Sequence, residues 1–269
     1  MARSNPVFTS LEKDVVNPYA GRTSFDTTQP GGMYAAPMTS ERAITIDDIV
    51  TKTGITLGVI IVVAALTYGI GLVAPGMVFA LWGLGAIGSL VTVLVATMGG
   101  KYGSAPVTLT YAVFEGLLVG GISYIFAGLA TGINAGALIG QAVVGTLGVF
   151  IGMIFVYKSG AVRVTPRFNR IVTGAIFGVA GLALVNILLA LFTGNAPLTN
   201  GGPLAIIFSL FCIGLAAISF LQDFDNADKL IRVGAPAKTA WGVALGLAVT
   251  LVWLYTEILR LLSYFNRSE

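Results

Sequence analysis

The sequence predicts an all-α polytopic membrane protein with seven transmembrane helices, and three observations carry that prediction. Of 269 residues, 56% are hydrophobic and only 10% are charged. Mean hydropathy is +0.89. From Thr53 onward, apolar stretches near the ~20 residues that a helix needs to cross a hydrocarbon core recur seven times. A soluble domain carries about 25% charged residues, and this chain cannot cover a water-facing surface with so few. The composition therefore excludes a soluble enzyme, a nucleic-acid binder and a disordered protein.

The predicted spans are 53–73, 76–98, 105–127, 136–157, 169–192, 203–222 and 240–262. Breaks fall at Ala74-Pro75, Gly99 to Ser104, around Gly132, Lys158 to Arg167, Thr193 to Gly202 and Asp223 to Thr239. The segments are apolar all round, whereas strands of a membrane barrel alternate with period two. They must be helices, because lipid offers backbone groups no partner. Residues 1–51 read differently: charged, rich in Pro, Gly, Ser, Thr and Asn, and without an apolar period. The expectation is a flexible cytoplasmic tail rather than a secretory signal, since no apolar h-region follows Met1. Within it, Asn5-Pro6-Val7-Phe8 and Asn17-Pro18-Tyr19-Ala20 echo each other, as docking motifs or by chance. The domain reading is thus a tail over 1–51 and a seven-helix domain over 52–269.

Positive charges set the expected orientation. Arg3, Lys13, Arg22, Arg42 and Lys52 lie in or beside the tail. Lys101 follows span two, while Lys158, Arg163, Arg167 and Arg170 follow span four. Lys229, Arg232 and Lys238 follow span six, and the connections after spans one, three and five carry no charge. This alternation puts the tail and the charged loops in the cytoplasm and the C-terminus on the outer side of the membrane. Arg260 and Arg267 alone disagree. Among 35 glycines, pairs four apart at Gly54/Gly58, Gly116/Gly120, Gly148/Gly152, Gly174/Gly178 and Gly242/Gly246 predict close helix packing within the chain.

Carboxylates stand out against such a background, because a charge at the bilayer centre costs about 2.5–3.5 kcal/mol on insertion scales. Glu115 is the eleventh residue of span three, and Thr108, Tyr111 and Glu115 form one polar stripe at i, i+3 and i+7. Two readings stand for it: an ion or proton ligand, or a protonated structural acid bonded to a neighbouring helix. Asp223, Asp225 and Asp228 cluster at the end of span six. If the helix continues, Asp225 and Asp228 share a face and Asp223 points nearly opposite to Asp225. The run does not fit the EF-hand template, which wants glycine at the sixth position. Glu257, in the outer half of span seven, has Arg260 at i+3 and Thr250 two turns earlier on its own face, and an ion pair near the interface is expected.

Other chemistries fall away. The chain has no histidine, so no histidine base, metal ligand or Ser-His pair is available. Its one cysteine, Cys212, lies in an apolar run as a small hydrophobe. Span seven has no central lysine for a Schiff base, and neither a P-loop nor a dinucleotide fingerprint occurs. Neither an enzymatic activity nor a cofactor is expected.

Several of these residues also resemble a known family. Phe114-Glu115-Gly116-Leu117 in span three, Phe224-Asp225 at the end of span six and Leu259-Arg260-Leu261-Leu262 closing span seven are similar to the Bax inhibitor-1/YccA family in its bacterial branch. The resemblance covers roughly residues 42 to 265, and Ser4-Asn5-Pro6-Val7-Phe8 is similar to actinobacterial members. It implies a fold in which the last helix is central, surrounded by the other six. It implies a pH-sensitive calcium leak, in which an aspartate ending span six and one in span seven share a proton. Asp225 matches the first. Thr250 stands where the second is usual, so the two-aspartate latch is incomplete here. The expected cation contacts are Glu115 and Asp225, with weak calcium contact at those two positions and calcium as the transported ion. The lipid bilayer is the expected surrounding partner. The alternative implied by the resemblance is a modulator or substrate of a membrane-bound AAA protease, captured through the tail and without transport of its own.

Overall fold

The computed structural model describes residues 42–129 and 134–266. The tail motifs, Arg3, Lys13, Arg22 and Arg267 lie outside the described residues. Seven long helices follow in order: α1 Ile46–Val73, α2 Pro75–Met98, α3 Ala105–Leu129, α4 Ala135–Ser159, α5 Pro166–Thr193, α6 Pro203–Arg232 and α7 Ala240–Phe265. A 3-10 turn at Ala237–Thr239 leads into α7. All seven are long and apolar enough to cross a membrane, and the described residues contain no β-strand, only an isolated bridge between Ala43 and Pro236.

Helix ends follow local chemistry more closely than hydropathy does. α1 starts at Ile46, not at Thr53, because Thr45 and Asp48 form a capping box: the Asp48 N–H donates to Thr45 Oγ1 and the Thr45 N–H to Asp48 Oδ2 at 3.1 Å. Arg42 adds an ion pair to Asp48 at 2.8 Å. Residues 46–51, assigned by sequence to the tail, are therefore the first turns of a helix. α6 runs ten residues past its expected end at 222, to Arg232. Its last turns are held by ion pairs at i,i+4, Asp225 with Lys229 and Asp228 with Arg232. A charged helix end needs no apolar run, so hydropathy stopped too early. Elsewhere punctuation matches expectation. Pro75 opens α2 in the first-turn position, and Gly160 and Gly194 close α4 and α5 in the left-handed conformation.

α7 occupies the centre. Of its most apolar 18-residue window 72% is buried, against 11–44% for the other helices. Helices α1, α3, α4 and α6 pack directly on it, while α2 packs chiefly on α3, and α5 on α6. One core forms where Leu245, Ala248, Val252 and Tyr255 meet Ile60, Tyr111 and Leu138. A second joins Val243, Leu247, Leu251 and Leu254 to Phe220, Ile44 and Ile49. Four helices thus line α7 closely, and the remaining two complete the bundle outside them.

Of the five glycine pairs, Gly116/Gly120 makes the close approach: a side chain at Gly116 would meet Val63 Cβ at 2.6 Å, and one at Gly120 would meet Thr67 Cβ at 2.7 Å. Gly242 lies under the Tyr102 ring. By contrast Gly54/Gly58, Gly148/Gly152 and Gly174/Gly178 face open space within the chain, so the packing expected of those three pairs is not formed. Spacing alone cannot tell which side of a helix looks at lipid.

One end of the bundle gathers Arg42, Lys52, Lys101, Lys158, Arg163, Lys229 and Lys238; we call it the charged end. There the first described residues bind the link into α7. The Ile44 N–H donates to Ala235 O and the Ala237 N–H to Arg42 O, both at 2.8 Å. Lys52 Nζ donates to Ala237 O at 2.5 Å and lies over the Trp241 ring.

Candidate functional site

The extended α6 brings Asp223 beside α7. Thr250 Oγ1 donates to Asp223 Oδ2 at 2.7 Å. The same hydroxyl has a longer contact to Gly246 O at 3.3 Å. Gly246 lies beside the carboxylate: a Cβ there would be in ordinary contact, 3.8 Å from Asp223 Oδ1. Thr250 is ten residues along from Ala240, about 15 Å into the helix, and Asp223 is nine back from Arg232, about 14 Å. Both stand at a similar distance from the charged end of the bundle. A carboxylate there is kept by hydrogen bonding, since burial of an unpaired charge is far more costly.

Tyr102, in the loop between α2 and α3, covers this region from the charged end. Its ring packs on Gly242, and burial, then the negative charge of Asp223, hold its phenol above the ordinary tyrosine value.

The other two aspartates turn away. With α6 continuous, Asp223 and Asp225 are 200° apart around the helix. Asp225 pairs with Lys229; Asp228 pairs with Arg232 at 2.8 Å. The residue matched by resemblance to the latch, Asp225, is thus the partner of a lysine on its own helix, and Asp223 is the carboxylate that reaches Thr250. Because 223–228 is helical, no calcium loop forms there.

Glu115 is buried, beside Ser89 of α2 and Tyr111 of its own helix. Thr108 Oγ1 donates to Trp241 O at 3.1 Å, so the stripe on α3 faces inward as its spacing requires. Phe114 lies over Gly88, and Gly116 seats α3 on α1. The motif Phe114-Glu115-Gly116-Leu117 therefore joins three helices. Glu115 and Asp225 meet separate partners on separate helices. No group of three Asp, Glu, Cys or His suited to a metal ion occurs among the described residues.

Toward the other end of α7, Glu257 pairs with Arg260 at i+3, both largely buried. Arg260 Nε donates to Ser209 Oγ at 3.0 Å, and its guanidinium lies over the Phe208 ring. The expected pair is present, with α6 supplying further partners. On α6, Ser209, Cys212, Ala216, Ser219 and Asp223 share one buried or half-buried face at i, i+3, i+7, i+10 and i+14. Opposite them α7 presents Gly246, Thr250 and Glu257. Ser209, Ser219 and Tyr102 were not singled out from the sequence. The small polar residues at helical spacing in span six were the available signal.

A family model described as Bax inhibitor 1 like matches residues 5–267. The chain belongs to the Bax inhibitor 1-like family. No curated protein and no solved structure matches it. The family match takes in all seven helices and every candidate carboxylate. In this Bax inhibitor 1-like chain the seam between α6 and α7 holds both Asp223 and Thr250.

Proposed function

We propose that this multi-pass Bax inhibitor 1-like protein is a pH-sensitive leak pathway for calcium or protons. Asp223, rather than Asp225, is its titratable contact on the seam between α6 and α7. The Asp223–Thr250 hydrogen bond carries this reading. An ionised carboxylate accepting from a hydroxyl forms a charge-assisted bond, roughly twice as strong as a neutral one. Protonation of Asp223 exchanges that bond for a neutral one and relieves a buried charge, so the state of the seam depends on pH. In this reading one aspartate and a threonine take the place of a shared-proton pair. Glu115, beside Ser89 and Tyr111, is a second buried carboxylate, the eleventh residue of α3. The charge bias of the loops supports a cytoplasmic location of the charged end, in a bacterial plasma membrane.

The test is calcium flux into liposomes carrying the purified chain, between roughly pH 5 and pH 8. Wild type should give pH-dependent flux, Asp223→Asn should lose the pH dependence, and Asp225→Asn should keep it. Equal pH dependence in Asp223→Asn and wild type would reject the assignment of Asp223. A folded protein with no flux above empty liposomes would reject transport itself.

A second reading draws on the charged end. Residues 42–44 hydrogen-bond to 235–237, at the entry to α7. A cytoplasmic partner such as a membrane-bound AAA protease, gripping the preceding tail, would act directly on that entry. Loss of partner binding on deletion of residues 2–41, with the helical core retained, is the outcome this reading expects.

A further inference from the structure

A cavity of about 420 Å³ lies between α1 and α4, two helices that do not pack closely on each other. Its floor is buried and comes from the inner helices: Val119 and Ser123 of α3, and Leu251, Val252 and Tyr255 of α7. Its rim is open, with Ile61 66%, Val143 42% and Leu147 49% exposed. Since α1 and α4 are membrane spans, the opening between them faces hydrocarbon. The polar groups of the floor and of α4 are already satisfied. Ser123 and Tyr255 share a hydroxyl bond of 2.8 Å, Ser123 also donates to Val119 O at 2.7 Å, and Thr146 donates to Ala142 O at 2.7 Å. With nothing left there to bind water, the floor stays dry and takes an apolar guest.

Direction and length narrow the guest further. Along α1 the lining runs from Leu57 to Tyr68, eleven residues or about 16 Å along the helix axis. That is half of a ~30 Å hydrocarbon core, the depth of one leaflet. At Tyr68 a second cavity of about 440 Å³ begins and continues toward the uncharged end past Leu72, Tyr124 and Gly128. Tyr68 and Tyr124 meet edge to face with ring centroids 6.0 Å apart. Tyrosines at this level are at home beside lipid headgroups, where an apolar ring and a polar hydroxyl are both served.

We propose that this groove is a lipid site, holding one acyl chain of a phospholipid from the leaflet at the uncharged end. The chain lies against α7, and the glycerol region sits between Tyr68 and Tyr124. The guest touches Leu251 and Val252, the residues after Thr250, so lipid and the α6–α7 seam share a helix. The proposal does not depend on transport.

The experiment uses the full chain in phosphatidylcholine vesicles doped with phosphatidylcholine that carries a diazirine on one acyl chain. After irradiation, labelled peptides are mapped by mass spectrometry. Labels are expected on Val119, Val252 and Tyr255, buried positions that ordinary boundary lipid cannot reach. Phe177 and Leu191 on α5, 74% and 75% exposed, report boundary lipid in the same sample. Ala65→Phe together with Val143→Phe fills the mouth from two positions already exposed. It should lower floor labelling several-fold and leave Phe177 and Leu191 unchanged. Labels on Phe177 and Leu191 without any on the floor would overturn the proposal, as would floor labelling that the filled mouth leaves untouched. The wild-type pattern decides the first point without any variant.

Discussion

The hydroxyl of Thr250 donates to the carboxylate of Asp223 across the α6–α7 seam at 2.7 Å, tying the central helix to its neighbour at one buried point. Removing the donor while keeping the shape should expose its worth. Thr250→Val leaves Asp223 without that partner, and hydrogen bonds to charged groups contribute about 1.5–3 kcal/mol. Thermal unfolding in detergent should show a clear loss of stability, and an unchanged midpoint would mean that the bond contributes nothing.

Thr250→Asp sets two carboxylates face to face. They cannot both ionise cheaply, so one apparent pKa of the pair rises above the unfolded value. A raised carboxyl pKa favours the folded state only while the extra proton is bound. This variant should therefore gain stability as pH falls through the upper apparent pKa and lose it as pH rises. Midpoints measured across a pH series should slope oppositely to any loss of stability by wild type in acid.

Arg260 keeps Glu257 company in a buried setting. Arg260→Met should destabilise by about 3–5 kcal/mol, because it leaves a carboxylate buried without its cation. Adding Glu257→Gln should recover much of that loss. Chemical unfolding of the single and double variants checks both statements.

Two glycines of the same spacing pattern should behave oppositely. Gly120→Ala presses a methyl group into α1 beside Thr67, and overpacking of this kind costs about 1–3 kcal/mol. Gly174→Ala meets open space and should change stability by no more than about 0.5 kcal/mol. Paired melting curves distinguish them.

Much of the fold was legible in the sequence, because crossing a bilayer demands long apolar runs and lipid permits only helices for them. The breaks at Pro75, Gly160 and Gly194 were legible for the same reason that they are local. What hydropathy missed was helix that lies beyond the apolar run. Thr45 and Asp48 start α1 through side-chain bonds, and Asp225, Lys229, Asp228 and Arg232 carry α6 onward through ion pairs. The sequence already required that Asp223 and Asp225 point nearly opposite if the helix continued, 200° apart; that it continues was what hydropathy could not tell. The carboxylate that faces α7 is set by which neighbour each side of α6 meets. The i,i+4 glycine spacing carries the same ambiguity, being equal on a packed face and on a lipid face.

The helix at the centre of the bundle is also the last of the seven in chain order. Chains emerge N-terminus first, so α1 to α6 enter the bilayer before the element that their inner faces will cover exists. Until α7 arrives, Phe220, Tyr111 and Leu138 lack the central helix that completes their packing, and Asp223 has no Thr250. Biogenesis of this protein is then a vault built before its keystone. Truncations that stop short of residue 240 should leave six inserted helices without a common core, the state most exposed to quality-control proteolysis.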